Sequence, residues 1–513
     1  MTKQNDKNLN LLIAGFAIFK LLIHLFTNSN YGLHRDEFLY LAEGQHLAWG
    51  YMEVPPMIAF LAKIVLLFGD SVFMIRLFPT LIGSLTVALI GLLVKDLGGK
   101  RWAITFACLA FILAPAFLRS NWLFQPVSFN QFFWFLSTFW IIRIVKFENP
   151  KYWYFLGLTA GLGFLTKYSI AFFFMALIIA ILLSPHRKWF ATKYPYQALG
   201  IAVLIALPNF FWQYQHNFPV VRHMQELSET QLVNVDTFGF LIDQLIMLWA
   251  TALIWVPGLF FLLFYKKFSA YRFIGIAFLI LLFIILGLSG KSYYTLGAYS
   301  MLFVFGGLGL ETFLKNKIFK ISLVFVMVFF ILGGLPLSLP ILSMEKMEKY
   351  CNYLINEIGF DGPMRWEDGV IRALPQDYAD MNGWEELAQK VGKVYHQLSD
   401  EEKSQCNILG LNYGAAGAIN FYRKKYDLPE AYSRNSSFIL WAPEDIQFNN
   451  QIMIDDQIQT GSDWFENMIL VDSIEHPFAR ENGYIYYRSN PKIDVNAAWK
   501  EYIRERKEEF NLD

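Results

Sequence analysis

Long apolar stretches recur through the first two thirds of the chain and cease near residue 340. A helix that crosses a bilayer needs roughly 17 to 25 mostly apolar residues, and about eleven stretches satisfy that length. They lie at 9–27, 72–94, 102–118, 128–146, 151–166, 168–185, 197–214, 239–265, 271–290, 293–314 and 317–339. No small-residue cleavage site follows 9–27, so this stretch is expected to stay in place as a helix and to act as the insertion signal. Residues 28–71, between the first two stretches, are too many for a tight turn and carry an amphipathic pattern of their own. Phe38, Leu39, Leu41, Ala42, His46, Leu47 and Trp49 fit one short helix. Residues 56–68 fit a second, which opens on Pro56, a residue tolerated in a first turn.

From 341 onward no further spanning stretch occurs, and strand-like and helix-like runs alternate among many charges. That pattern predicts a compact α/β domain. A helix is expected over Trp384–Gln397, a buried strand over 407–411, and a glycine turn at Asn412-Tyr413-Gly414-Ala415-Ala416-Gly417 that leads into a helix ending near Tyr426. Such a turn is more often a plain strand-to-helix connection than a phosphate cradle, so no chemistry is assigned to it. Ile469-Leu470-Val471 and Tyr484-Ile485-Tyr486-Tyr487 extend the expected sheet, and 499–509 closes the chain as a charged helix. The fold class is therefore an α-helical polytopic membrane protein of about 11 transmembrane helices, with a membrane domain over 1–340 and an α/β domain over 341–513.

Composition agrees, with 55% apolar, 18% aromatic and only 17% charged residues, where soluble domains carry about a quarter charged. The formal net charge is zero, so nothing argues for nucleic acid, and any attraction for anions comes from local clusters. Lys and Arg gather in alternate connections: Lys95, Lys100 and Arg101; Arg143, Lys146 and Lys151; Arg187, Lys188 and Lys193; Lys266, Lys267 and Arg272; Lys315, Lys317 and Lys320. Counting these as cytoplasmic puts the N-terminus inside and 28–71 outside, and an odd number of spans exports the α/β domain. Of three cysteines, Cys108 sits in an apolar stretch, whereas Cys351 and Cys406 share the polar region and could pair if it is extracytoplasmic.

His34-Arg35-Asp36-Glu37, followed by Glu53-Val54-Pro55-Pro56, lies directly behind the first span. Charge beside hydrocarbon is costly and usually kept for function, which makes this loop the first place to look for chemistry. The plain alternative is that Asp36 caps the loop helix and Glu37 is a first-turn carboxylate. Capping leaves the neighbouring cations unexplained. Lys167 and Lys291 stand at the outer ends of spans, where they reach either an anionic ligand or ordinary lipid headgroups. Tyr168, Tyr293 and Tyr294 beside them suit an interfacial aromatic belt, or the face of a sugar or isoprenoid. No Asp-x-Asp occurs, and His216 and His223 lack compact ligand spacing, so no catalytic metal or other cofactor is expected.

The run from Tyr31 through His34-Arg35-Asp36-Glu37 to Ala42, with Trp49-Gly50-Tyr51 and Pro55-Pro56 behind it, resembles the multi-spanning GT-C glycosyltransferases related to protein O-mannosyltransferases and to aminoarabinose transferases of lipid A. The likeness continues through Arg76-Leu77-Phe78-Pro79, Gly161-Leu162-Gly163-Phe164-Leu165-Thr166-Lys167-Tyr168-Ser169, Leu207-Pro208-Asn209-Phe210-Phe211-Trp212-Gln213, Gly290-Lys291-Ser292-Tyr293-Tyr294, Asn382-Gly383-Trp384 and Asn412-Tyr413-Gly414. It implies an inverting transfer of a sugar from a polyprenyl phosphate to a lipid, glycan or protein acceptor at the outer face of a bacterial-type cytoplasmic (inner) membrane. Asp36 matches the acidic position expected to take the acceptor proton, with Glu37 orienting or assisting it. Arg35, Lys167 and Lys291 are the cations for the departing phosphate. His34, Glu53, Gln125, Tyr168, Tyr293 and Tyr294 are further substrate-binding candidates.

The chain departs from the family pattern in two places. Val54 stands where relatives often carry a lysine before the proline pair, and Asn121-Trp122-Leu123-Phe124-Gln125-Pro126 offers Gln125 where an aspartate is common. Gln125 can hydrogen-bond a sugar but cannot act as a base. Three alternatives compete with the transferase: a ligase that moves a whole lipid-linked glycan, a relative without activity, and a lipid or sugar transporter. A transporter should show repeated halves and ionisable groups near mid-span, whereas here the charges gather at the outer ends.

Overall fold

The computed structural model describes residues 3–230, 232 and 236–512. The chain divides into two compact units, one made of Met1–Asn30, Phe73–Pro208 and Ser228–Ile341, the other of Tyr31–Val72, Asn209–Leu227 and Leu342–Asp513.

The first unit is helical. Every stretch read as a candidate span forms helix, but not every one is long and apolar enough to cross a membrane unaided. Among the described residues six helices are: Asp6–Leu25, Val72–Asp96, Tyr194–Gln215, Lys266–Gly287, Ser292–Phe313 and Lys317–Ser338. Two bent pairs raise the number to eight, Ile170–Leu182 with Pro185–Ala191 at 106° and Thr237–Ile246 with Trp249–Phe264 at 59°. Other stretches miss that length for local reasons. Stretch 102–118 breaks into Arg101–Leu113 and Pro115–Ser120, because Ala114 is extended and Pro115 has no amide to continue the ladder. The stretch at 151–166 forms a helix of only 14 residues, Lys151–Phe164.

Two devices hold this unit together. Gly258 and Gly306 lie where any Cβ would overlap the carbonyls of Leu302 and Ile254, so Ala252–Phe264 and Tyr299–Phe313 cross almost backbone to backbone. Lys20 and His24, both fully buried, reach the last turn of Pro115–Ser120: Nζ donates to the Phe117 carbonyl at 3.0 Å, and His24 Nε2 lies 3.0 Å from the Leu118 carbonyl. The broken helix thereby finds partners for carbonyls that its own ladder leaves open.

The second unit contains a five-stranded sheet: β1 (Cys406–Gly410), β2 (Ala431–Tyr432), β3 (Asn450–Asp455), β4 (Phe465–Asp472) and β5 (Tyr484–Pro491), in the order β2-β1-β3-β5-β4. The first three run parallel, and β5 and β4 add antiparallel pairs. Helix Tyr413–Tyr426 makes the crossover from β1 to β2. Its glycines serve packing. A Cβ on Gly417 would stand 2.8 Å from that of Phe38, and one on Gly414 2.8 Å from Arg35 Cγ, so both admit the loop helix Arg35–Gln45 at close range. Phe38 then sets its ring edge-on to Trp384 at 5.9 Å and Phe421 at 5.6 Å. The second loop helix is Met57–Phe68, with Pro56 at its N-cap. Cys351 and Cys406, which could have paired, form no disulfide with each other: Cys351 is buried on helix Met344–Tyr353 and Cys406 opens β1.

Candidate active site

The start of helix Arg35–Gln45 is built by a reciprocal cap. His34, not Asp36, is the N-cap: its Nδ1 accepts the Asp36 amide at 3.1 Å, while Glu37 reaches back to accept the His34 amide at 2.8 Å. Glu37 is fully buried in that role. Asp36 is thereby released from capping, and its side chain keeps 32% of its exposure, enough for a substrate to touch it.

Asp36 is held from the other end of the sequence. Tyr413, first residue of helix Tyr413–Tyr426, donates its hydroxyl to Asp36 Oδ1 at 2.7 Å. Burial and the nearby Asp36 carboxylate push this phenol well above its ordinary value, so it stays a donor. Arg35 lies over the Tyr413 ring at 4.5 Å and sets Nε 3.4 Å from Glu481 Oε1. Tyr413 is a candidate site residue that sequence reading passed over, although Asn412-Tyr413-Gly414 was visible as a motif. Tyr413→Phe is expected to lower kcat about tenfold, the worth of one hydrogen bond to a charged group, with acceptor KM little changed. Steady-state kinetics that moved KM alone would contradict a positioning role.

Behind this pair lies an ion cluster around the buried Asp380. Arg480 Nη1 donates to both carboxylate oxygens of Asp380, at 3.0 and 3.1 Å, and the Arg35 amide donates to the Asp380 carbonyl at 3.1 Å. His34 Nε2 faces Asp380 at 3.6 Å and Asp377 at 3.9 Å. His34, Asp377 and Asp380 could each offer a donor atom to a metal within 4.8 Å of one another. The cap argues against it: Nδ1 spends its lone pair on the Asp36 amide, so a neutral ring presents N–H, not a lone pair, at Nε2. Burial opposes charging of this imidazole, while Asp36, Asp377 and Asp380 would carry it up to about 9. The cap decides, because a doubly protonated ring would aim N–H at N–H.

Two further carboxyls sit above their ordinary range. Burial, then Glu53, raises Glu43 well above it, against a contribution from Ser437. Ser437 donates to Glu53 and accepts the Met52 amide at 3.1 Å, which anchors the sequence-predicted Glu53. Glu481 is pushed up to about 8 by burial and by a hydrogen bond with Asp456, outweighing Arg35. Its folded value is above the unfolded one near 4.3, so between these two pH values the folded state holds a proton that the unfolded state releases. Stability must then fall as pH rises from about 4.3 to about 8. Glu481→Gln is expected to flatten that slope in thermal melts, and an unchanged slope would refute the assignment.

The remaining predicted residues belong to the first unit. Lys167 stands in the turn between Lys151–Phe164 and Ile170–Leu182, with Nζ 5.5 Å from the Tyr293 ring centre and 5.0 Å from that of Tyr294. These three line a water-sized cleft with Asn130, Gln131 and Ser169. Tyr168 packs on Phe164, Lys291 is the N-cap of the short helix Ser292–Ala298, and Gln125 that of Pro126–Phe147. So His34, Arg35, Asp36, Glu37 and Glu53 fall in the second unit, and Lys167, Tyr293 and Tyr294 gather in the first, where Gln125, Tyr168 and Lys291 also lie.

Residues 53–212 match the family of dolichyl-phosphate-mannose-protein mannosyltransferases. The lipid A galacturonosyltransferase RgtD of Rhizobium johnstonii is 27% identical over 228 residues, 44% of this chain and 47% of that protein. The chain thus matches about half the length of this curated relative. In three dimensions it is similar to ArnT from Cupriavidus metallidurans bound to undecaprenyl phosphate, with a TM-score of 0.61 at 13% identity, covering 95% of this chain and 98% of ArnT. ArnT in the apo state gives 0.59 over the same shares. The fold is GT-C. The motif likeness and the fold agree, and the family match takes in Glu53, Gln125, Lys167 and Tyr168 of the candidate residues. Asp36 and Tyr413 lie outside that stretch, so their place in a GT-C chain is argued from their own geometry.

Proposed function

We propose that the protein is an inverting glycosyltransferase that moves a sugar from a polyprenyl phosphate to an acceptor hydroxyl at the outer face of the cytoplasmic membrane. The observation that carries this reading is Asp36: a carboxylate still open to substrate, relieved of capping by His34 and Glu37, and oriented by the Tyr413 phenol. Asp36 takes the acceptor O–H proton, the acceptor oxygen attacks the anomeric carbon, and the bond from that carbon to the phosphate oxygen breaks, with its electron pair leaving on the polyprenyl phosphate. Arg35, next to Asp36 in the same unit, is the cation assigned to the charge that develops there. Support for the donor class comes from ArnT, solved with undecaprenyl phosphate, and for a lipid-borne acceptor from the lipid A galacturonosyltransferase. The reading includes a cytoplasmic N-terminus and an exported second unit, in keeping with the alternation of cations.

The test is to supply purified protein with a panel of undecaprenyl phosphate sugars and acceptor lipids and to follow release of undecaprenyl phosphate. Release that requires both an acceptor and Asp36 is expected. Transport of intact donor across vesicles without release would instead favour the transporter.

A further inference from the structure

Trp49-Gly50-Tyr51 stands out in the sequence and takes no part in the chemistry above. In the second unit Tyr51 helps to line an open cavity of about 420 Å³, together with His46, Trp212, His216, Trp441 and Lys507 among others. Its volume lies within the roughly 300–1,000 Å³ of small-molecule sites. Two pairs of rings form its walls. His46 stacks on Trp441 at 4.5 Å and 2° from parallel, and Trp212 stacks on His216 at 4.1 Å and 18°. Gly50 is required for the second wall, because any Cβ there would overlap the Trp212 ring. Tyr51 braces the floor by accepting the Ala48 amide at 2.9 Å and facing the Glu43 and His46 carbonyls at 3.0 and 3.1 Å.

The polar groups narrow the ligand class. Lys507 is paired with Glu444 at 2.6 Å, and burial lowers the pKa of His46, whose Nε2 lies 3.7 Å from Glu430, so neither group offers an anion an uncompensated positive charge. An isoprenoid tail would desolvate the ammonium and the imidazoles without replacing their hydrogen bonds, which is costly. A neutral polyol with flat C–H faces suits both features, since its faces cover the rings while its hydroxyls meet the amine and imidazole edges. His46 follows the C-terminal end of the helix that carries Asp36 at its start, about 15 Å away along the axis. One sugar ring cannot occupy both places.

We infer that this cavity is a second saccharide subsite, which holds a sugar ring of the acceptor remote from the hydroxyl that reacts. The identification of that sugar as the acceptor's rests on the transferase reading; the binding of saccharide does not. The full chain in detergent is titrated with cellobiose, lactose and chitobiose, read by tryptophan fluorescence. Saturable binding of at least one is expected, weakened about tenfold by Trp441→Ala, equivalent to about 1.4 kcal/mol, and within about threefold of wild type for Trp441→Phe. Asp36→Asn should bind as wild type does, so loss of transfer and loss of binding are separable. Should Trp441→Ala not fold, judged by its melting midpoint, His46→Ala with Trp441→Phe as control serves the same comparison. Binding of none of the three sugars, or binding untouched by these ring deletions, overturns the inference.

Discussion

Asp36→Asn is expected to lower sugar transfer by about 10²- to 10⁴-fold, the usual contribution of a positioned general base, with donor binding nearly unchanged. Asparagine keeps the size of the side chain and can still accept the Tyr413 hydroxyl that Asp36 accepts at 2.7 Å, so the local structure should survive. What it loses is the capacity to take a proton. The cap does not depend on it, since His34 and Glu37 satisfy the helix start between them. Single-turnover measurements with a loaded donor separate chemistry from binding. Turnover within a few-fold of wild type would remove Asp36 from the base role, and Glu37, buried and engaged with the His34 amide, could not replace it.

Lys167→Ala is expected to raise donor KM and reduce kcat/KM by roughly 10- to 150-fold, corresponding to about 1.5–3 kcal/mol for a hydrogen bond to a charged group. The ammonium lies 5.5 and 5.0 Å from the centres of two tyrosine rings, whose faces favour a positive charge there. Lys167→Arg should recover only part of the loss, because the planar guanidinium differs in reach and shape from a point-like ammonium. Titration of kcat/KM against undecaprenyl phosphate sugar concentration checks this. A donor KM unchanged in Lys167→Ala would leave the lysine as an interfacial anchor only.

Much of the architecture was readable from periodicity, because a bilayer and a sheet each impose a strong repeat on the chain. All eleven apolar stretches are helical, helix Trp384–Gln397 lies where expected, and β1, β4 and β5 fall on the runs that suggested strands. The misses have local causes. Length and apolarity alone pick out six to eight spans among the described residues, because Pro115 breaks one helix and another stretch yields only 14 helical residues. Strand β3 was overlooked because Asn450, Gln451 and Asp455 make half of it polar, yet all six residues are buried between two partner strands. The small residues of the Asn412 to Gly417 turn have a purpose that only packing against Phe38 and Arg35 reveals.

By itself the sequence determined that this is a multi-spanning helical protein with an α/β portion, and that titratable residues concentrate behind the first span. Both follow from local composition, because lipid tolerates few charges and helices and strands each repeat with a fixed period. Tertiary structure alone decided which of those residues are open to substrate. His34 rather than Asp36 caps the helix, Glu37 is turned inward, and Asp36 receives a hydroxyl from Tyr413, a residue 377 positions along the chain. No repeat or spacing encodes that pairing. It depends on Gly414 and Gly417 leaving room for the loop helix, a contact between distant segments that only the folded chain brings within hydrogen-bond range.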